Sequence, residues 1–338
     1  MQKVYRSIIV CLLLVMPAIT FAQDKKADAD ALIKQGTALH DAQKYDEAIA
    51  KYNEALKIAP GNLNALYEKG FTLYASGKAD QAIPLLEKVA NSNTSPHAFA
   101  VLGNIYDDRG DFDRAISCYT KGIAAFPKDG NLWYNLGVSY MRQNKNSQAE
   151  DAAIESIKIN QKHLNSYRLY VLATYSQGKH ECSLLAWCNY LMLVPQPKQS
   201  AEACNYIKNI LHYSINDGNI VIKGTDEQSR VQQMDIAAAV SAIDPLLTST
   251  KPVDSLGTQL ASVFRIVNVK KEKFNSPFFT KYFCDFFGAM EKTKYMDVFT
   301  HYITVSMAPA ENLAWLKARP DEIKGFNEWL ASTKRVTD

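Results

Sequence analysis

Small residues recur in the first half of the chain at nearly constant intervals. Glycines separated by 34, 33 and 34 residues stand at Gly36, Gly70, Gly103 and Gly137. Twelve residues after each glycine comes an alanine, at Ala48, Ala82, Ala115 and Ala149. Self-similarity at a fixed period of roughly 20 to 50 residues is typical of repeat architectures, in which each unit buries its apolar face only by stacking on its neighbours. This half of the chain is therefore expected to fold as an array.

Large apolar residues and prolines follow the same period. A large apolar side chain precedes each small position by four residues, at Leu32, Leu66, Phe99, Trp133 and Tyr167. Prolines close three of the units, at Pro60, Pro127 and Pro195. A fifth unit keeps the spacing but has Val171 and Ser183 at its two small positions. Small side chains let two helices approach closely, and Tyr52, Leu86, Tyr119 and Trp187 are expected to fill gaps between neighbouring units.

This pattern resembles the tetratricopeptide repeat, a helix-turn-helix unit of about 34 residues. Five such units would cover residues 29–197, preceded by a short linker, 23–28. The resemblance implies an all-α fold with a superhelical solenoid of about five repeats. It also implies that the chain binds a protein or peptide, although solenoids of this kind serve unrelated processes.

The resemblance implies where a partner binds. In these arrays the first helix of each unit lines a concave groove, so residues of that helix that point away from the small-residue positions are candidates. They are Tyr67, Phe71 and Tyr74 in the second unit, Asn104 and Asp107 in the third, Tyr134, Asn135 and Arg142 in the fourth, and Arg168 and Tyr175 in the fifth. Aromatic, amide and arginine side chains suit an extended peptide. The alternative for Phe71 and Tyr134 is packing between adjacent first helices.

The basic clamp of chaperone-binding members of the family is not reproduced. Ile33, Lys34 and Thr37 occupy the corresponding part of the first unit. A chaperone C-terminal tail is therefore a poor candidate ligand.

The repeat ends near Pro197, and residues 198–338 are predicted to form a second α-helical domain. Helices are expected at 201–215, 227–247, 254–268, 276–292, 295–307, 313–317 and 320–333. The segment that starts at Ser276 and Pro277 carries rings at four-residue spacing, with Ser276 suited to cap a helix. Its apolar face is interpreted as the core of this domain, and a lipid or cofactor pocket is the alternative.

Residues 1–22 are predicted to be a secretory signal peptide. Lys3 and Arg6 precede an apolar run, and Thr20 and Ala22 place small side chains before a cut at Gln23. An uncleaved membrane anchor is the alternative, but the 15 residues from position 8 to 22 fall short of the roughly 20 that a spanning helix needs. The Ala22-Gln23 junction and the lysine-rich and aromatic-rich composition resemble those of Gram-negative envelope proteins, which favours the periplasm.

Motifs for catalysis, metals and cofactors are not found in the sequence. Phosphate-binding glycine loops, nucleophile elbows and paired zinc-ligand histidines are missing, and the six histidines have no acidic neighbour in a recognisable arrangement. The five cysteines after residue 22 are an odd number at irregular spacing, so they are interpreted as small buried side chains. We therefore expect no cofactor and no enzyme activity.

The charge balance restricts the partner class. The formal net charge is +3, from 38 basic and 35 acidic residues, which is too small an excess to attract nucleic acid. The leading hypothesis is an exported scaffold that binds a protein or peptide, with no stable membrane insertion. Two alternatives stay open: an enzyme or small-ligand-binding protein with its pocket in the aromatic-rich second half, and a self-associating envelope component.

Overall fold

The computed structural model describes residues 26–194, 197–212, 215–216, 219–220, 227–241 and 252–337. The predicted signal peptide lies outside these residues. The chain forms two compact units, residues 1–139 and 140–338. The predicted boundary between residues 197 and 198 separates repeated from unrepeated sequence, and it stays a prediction.

The first unit is built from helices arranged in successive hairpins. They are α1 (26–41), α2 (Tyr45–Ile58), α3 (Leu63–Ala75), α4 (Ala79–Asn91), α5 (Pro96–Asp108), α6 (Phe112–Ala125) and α7 (Gly130–Arg142), whose last residues belong to the second unit. Side-chain caps mark the N-termini of two of these helices. The Asn62 side chain accepts a hydrogen bond from the Ala65 amide at the start of α3, and the Asp111 side chain accepts one from the Arg114 amide at the start of α6. The odd-numbered helices are the first helices of the predicted repeats.

The two helices of a hairpin approach each other closely at the repeated glycines. A methyl group added at Gly103 would lie 2.2 Å from Cε1 of Tyr119, and one at Gly36 would lie 2.5 Å from the same atom of Tyr52. Tyr52 and Tyr119 thus fill the space beside the glycine of their own unit, rather than only the gaps between units as the sequence analysis expected. At Gly36 and Gly103 a small residue is required because an aromatic ring occupies the position of the missing side chain, and at Gly70 the Leu86 side chain does so.

The hairpin turns share a left-handed residue that repeats with the helices. Backbone φ is positive at Gln43, Gly77, Gly110, Asn144 and Gly178. Positions needing positive φ favour glycine and asparagine because they have little or no steric penalty there. The fifth hairpin, despite Val171 and Ser183, therefore turns in the same way as the first four.

Ion pairs join consecutive repeats of the first unit. Lys78 Nζ lies 2.6 Å from Asp46 Oδ1, and Arg109 donates to Asp80 Oδ1 at 2.8 Å. Each pair links the turn of one hairpin to the second helix of the preceding one. These side chains are exposed, so each pair contributes only about 0–1 kcal/mol.

The second unit continues as helices with one short hairpin. Its elements are α8 (Asn146–Ile159), α9 (Leu164–Ser176), α10 (His180–Leu193), α11 (Pro197–His212), β1 (Ile215–Asn216), β2 (Asn219–Ile220), α12 (Glu227–Ser241), α13 (Pro252–Val269), α14 (Asp285–Glu291), α15 (Met296–Ile303), α16 (Pro309–Lys317) and α17 (Pro320–Ser332). The two strands pair antiparallel, with Ile215 opposite Ile220. The predicted helices are found close to their expected positions, and residues 242–247 of one of them lie outside the described residues.

The ring-bearing segment that starts at Ser276 and Pro277, called the aromatic helix below, lies mainly in the core of the second unit. Phe279, Phe283 and Phe287 are fully buried, and residues Phe279–Cys284 form a π-helical turn before α14. Helix α10 is buried on almost every side, including Trp187. A helix that is apolar all round lies in the centre of its domain, and α10 occupies that place in the second unit.

All five cysteines of the described chain are free, and four of them are buried. Burial raises the pKa of the half-buried Cys118 to about 11 and raises that of Cys188 further. Since the thiolate is the reactive form, we expect the folded chain from Gln23 onward to resist iodoacetamide at pH 8. In urea the same chain should take up five labels. One rapid label on the folded chain, seen by intact mass, would contradict this burial.

Candidate partner-binding face

A row of aromatic rings crosses the first helices of the first unit. Phe71 on α3 stacks on His40 of α1 with ring centroids 5.0 Å apart, and it lies 6.1 Å from Tyr67. Tyr67 in turn lies 6.2 Å from the ring of His97 on α5. We call these four residues the ring row. Three of them are half-buried and His97 is exposed, so the row offers aromatic surface across three consecutive repeats.

Polar groups border the ring row. The Nδ1 atom of His40 lies 2.8 Å from the buried Thr72 hydroxyl. Burial raises the pKa of the Glu68 carboxyl, while His40 and His97 act in the opposite direction. Burial also raises the pKa of Tyr67 to about 12, so its hydroxyl stays neutral at physiological pH. The face combines flat apolar rings with a hydroxyl that can donate or accept a hydrogen bond.

Two further candidates make contacts within the first unit, and a third is buried there. The Tyr74 hydroxyl donates to Asp108, one repeat further along the chain. Asn104 accepts a hydrogen bond of 2.8 Å from Tyr119, the residue that fills the space beside Gly103. Asp107 is only 7% exposed. The Tyr74 contact joins consecutive repeats and the Asn104 contact joins the two helices of one repeat, so both favour a role in packing of the array.

The remaining candidates lie on α7 and in the second unit. Tyr134 and Asn135 are half-buried on α7, and Arg142 is exposed at its end. The guanidinium of Arg168 binds both carboxylate oxygens of Glu202 on α11, at 3.2 and 3.0 Å. Tyr175 lies 5.2 Å from the ring of Tyr206, also on α11. Arg168 and Tyr175 thus hold α11 against the fifth repeat.

His40, His97 and Glu68 were not among the residues predicted from the sequence to bind a partner. Both histidines exert an electrostatic effect on the Glu68 carboxyl. The available signal was their place in the repeat: His40 follows Gly36 by four residues, and His97 precedes Gly103 by six. His40 lies on α1 and His97 on α5, which are the first helices of the repeats before and after α3. These positions place the two histidines on either side of Phe71 and Tyr67.

The described residues contain no group of three or more His, Cys, Asp or Glu side chains arranged to hold a metal. Within the same ranges, no helix is long and apolar enough to cross a membrane.

Comparison with known families gives matches in the repeat region. Two tetratricopeptide repeat models match residues 39–105 and 101–163. Among curated proteins, the chain is 32% identical over 127 residues to the TPR repeat-containing protein MJ1428 of Methanocaldococcus jannaschii. This alignment covers 37% of this chain and 22% of that protein. It is 28% identical over 132 residues to the human RNA polymerase II-associated protein 3, covering 38% of this chain and 20% of that protein. The chain spans between 22% and 42% of the length of the first three curated relatives.

Solved structures match about half of the chain. A crystal structure of MamA is 22% identical with a TM-score of 0.44, covering 51% of this chain and 94% of that one. YrrB, described as a TPR protein with an unusual peptide-binding site, is 15% identical with a TM-score of 0.42, covering 55% and 97%. The family models, the glycine contacts and the repeated turns agree with one another. Apart from one short two-stranded hairpin, the regular structure of the described residues is helical, and residues 39–163 match tetratricopeptide repeat models.

Proposed function

We propose that this chain is an exported protein-interaction scaffold that binds an extended segment of a partner protein on the ring row. The observation that carries the proposal is the continuity of His40, Phe71, Tyr67 and His97 across three first helices. Aromatic rings supply large contact area with few rotatable bonds to immobilise, which makes them effective in protein recognition. The family to which the repeats belong is one that binds proteins, and this supports the same class of function.

The ring row also favours a particular kind of ligand segment. Apolar side chains of the ligand would lie against Phe71 and Tyr67, and the neutral Tyr67 hydroxyl would hydrogen-bond a backbone carbonyl or amide. Arg168 forms an ion pair with Glu202, so the proposed binding site does not include it. The proposed site is therefore the ring row on the first three repeats, in place of ten residues along four repeats.

We expect the double variant Tyr67→Ala with Phe71→Ala to lose most of its partner capture. The experiment is a pull-down from envelope extract with the mature chain as bait, quantified by mass spectrometry. Because interface anchors of this type each cost more than about 1 kcal/mol on truncation, capture should fall at least tenfold. Phe112→Ala is the matched control, since Phe112 is a half-buried ring on the second helix α6. Equal loss in both variants, or no loss in the double variant, would exclude the ring row.

The proposal of export rests on the arrangement of residues 1–22 and predicts a mature chain that starts at Gln23. Intact-mass measurement of the chain recovered from a periplasmic fraction should show removal of those 22 residues. Recovery of full-length chain in the membrane fraction would support the anchor alternative instead. Neither result bears on the ring row, so location and binding are tested separately.

A further inference from the structure

A cavity of about 670 Å³ lies within the second unit. The turn after α8, helices α10 and α17, and the aromatic helix line it. The chain that follows α17 completes its wall with residues 333–335. Its size is in the range of small-molecule sites, roughly 300–1,000 Å³.

The charges that line this cavity all have one sign. Lys162, Lys334 and Arg335 contribute three cations, and none of the described residues that line the cavity is acidic. The two lysines are exposed at the rim, whereas Arg335 is half-buried against aromatic rings. Like charges gathered around a partly enclosed space raise the local concentration of anions.

Arg335 is a cation without an anionic partner in the described part of the chain. Its guanidinium carbon lies 3.6 Å from the ring centroid of Phe286 and 5.2 Å from that of Tyr282. Burial lowers the pKa of Arg335, although the Tyr282 and Tyr167 hydroxyls act in the opposite direction. Aromatic faces attract a cation but do not neutralise it.

Asn189 holds Arg335 in the wall of the cavity. Its Oδ1 accepts a hydrogen bond from Arg335, and the residue is only 3% exposed. A guanidinium carries five N–H donors, so this bond leaves others of Arg335 for an anionic group in the cavity.

The cavity also has an apolar side. Met192, Leu193 and Leu330 are among its lining residues, and Leu193 is 37% exposed. From the three cations, the placement of Arg335 and this apolar surface, we propose that the cavity binds a small organic carboxylate with an apolar body, its carboxylate on Arg335.

The test uses octanoate as probe, with the mature chain at pH 7 and binding measured by calorimetry. Octanamide has the same apolar body without the charge, and inorganic phosphate has charge without the body. We expect octanoate to bind at least tenfold more tightly than either. Equal affinity for octanoate and octanamide would overturn the role of the cations, and equal affinity for phosphate would overturn the role of the apolar side.

Variants locate the binding within the cavity. Arg335→Gln should weaken octanoate binding about tenfold or more, because an ion pair with hydrogen bonds is lost. Arg319→Gln is the matched control: Arg319 stacks on Trp315 at 4.0 Å elsewhere in the second unit and should leave binding unchanged. If Arg335→Gln fails to fold by circular dichroism, Lys162→Glu with Lys334→Glu, both exposed, should weaken binding instead. Unchanged binding in the folded variants, or no octanoate binding by the parent chain, would overturn the proposal.

Discussion

Replacing Gly103 by leucine is expected to lower the free energy of unfolding by about 1–3 kcal/mol or more. The first carbon of the new side chain would already stand 2.2 Å from Cε1 of Tyr119. Tyr119 cannot move aside freely, because it is buried and its hydroxyl donates to Asn104. Urea denaturation followed by circular dichroism measures the change.

Gly61→Leu is the control for this substitution. Gly61 is exposed in the turn between α2 and α3, and a side chain added there would meet nothing within 4 Å. Its effect should stay within about 0.5 kcal/mol, as for ordinary surface substitutions. Similar destabilisation by both variants would mean that leucine acts through the loss of glycine as such, and would contradict the close contact between Gly103 and Tyr119.

The second large effect is expected at Trp187. Its side chain is fully buried on α10 and stacks on Tyr206 of α11 at 5.2 Å. Trp187→Ala removes the largest buried side chain of the second unit and leaves a cavity, which should cost about 3–5 kcal/mol. Thermal unfolding monitored by near-ultraviolet circular dichroism would show the loss.

Trp187→Phe separates packing from hydrogen bonding at the same position. The indole nitrogen of Trp187 is buried and makes no hydrogen bond. Phenylalanine fills much of the same space and removes that unpaired donor, so the loss should be well below that of the alanine variant. Equal loss in both variants would contradict the assignment of this stability to packing of the ring.

The repeats were predictable because their packing depends on residues at fixed spacing. The contact between Gly103 and Tyr119 is local, and its members recur in the sequence with the same offset in other units. Contacts across repeats were harder to predict. Tyr74 and Asp108, and Arg168 and Glu202, are each separated by 34 residues, so they become neighbours only when adjacent first helices are aligned.

The second unit was predictable as helices but not as a site. Helical periodicity indicates which faces are apolar, and the expected elements are close to those found. No local pattern indicates that Arg335 reaches Asn189, 146 residues earlier in the chain. The Glu202 contact also changed the interpretation of Arg168, because an arginine that points away from the small-residue positions can serve the next helix as well as a ligand.

Site-specific photo-crosslinking tests the central claim of partner binding on the ring row most directly. A p-benzoylphenylalanine at position 67 of the mature chain should form an adduct with a partner protein in envelope extract, and Phe71→Ala should reduce its yield. The same group at position 112, on α6, should form no such adduct. Adducts at position 112 that equal or exceed those at position 67 would contradict binding on this face.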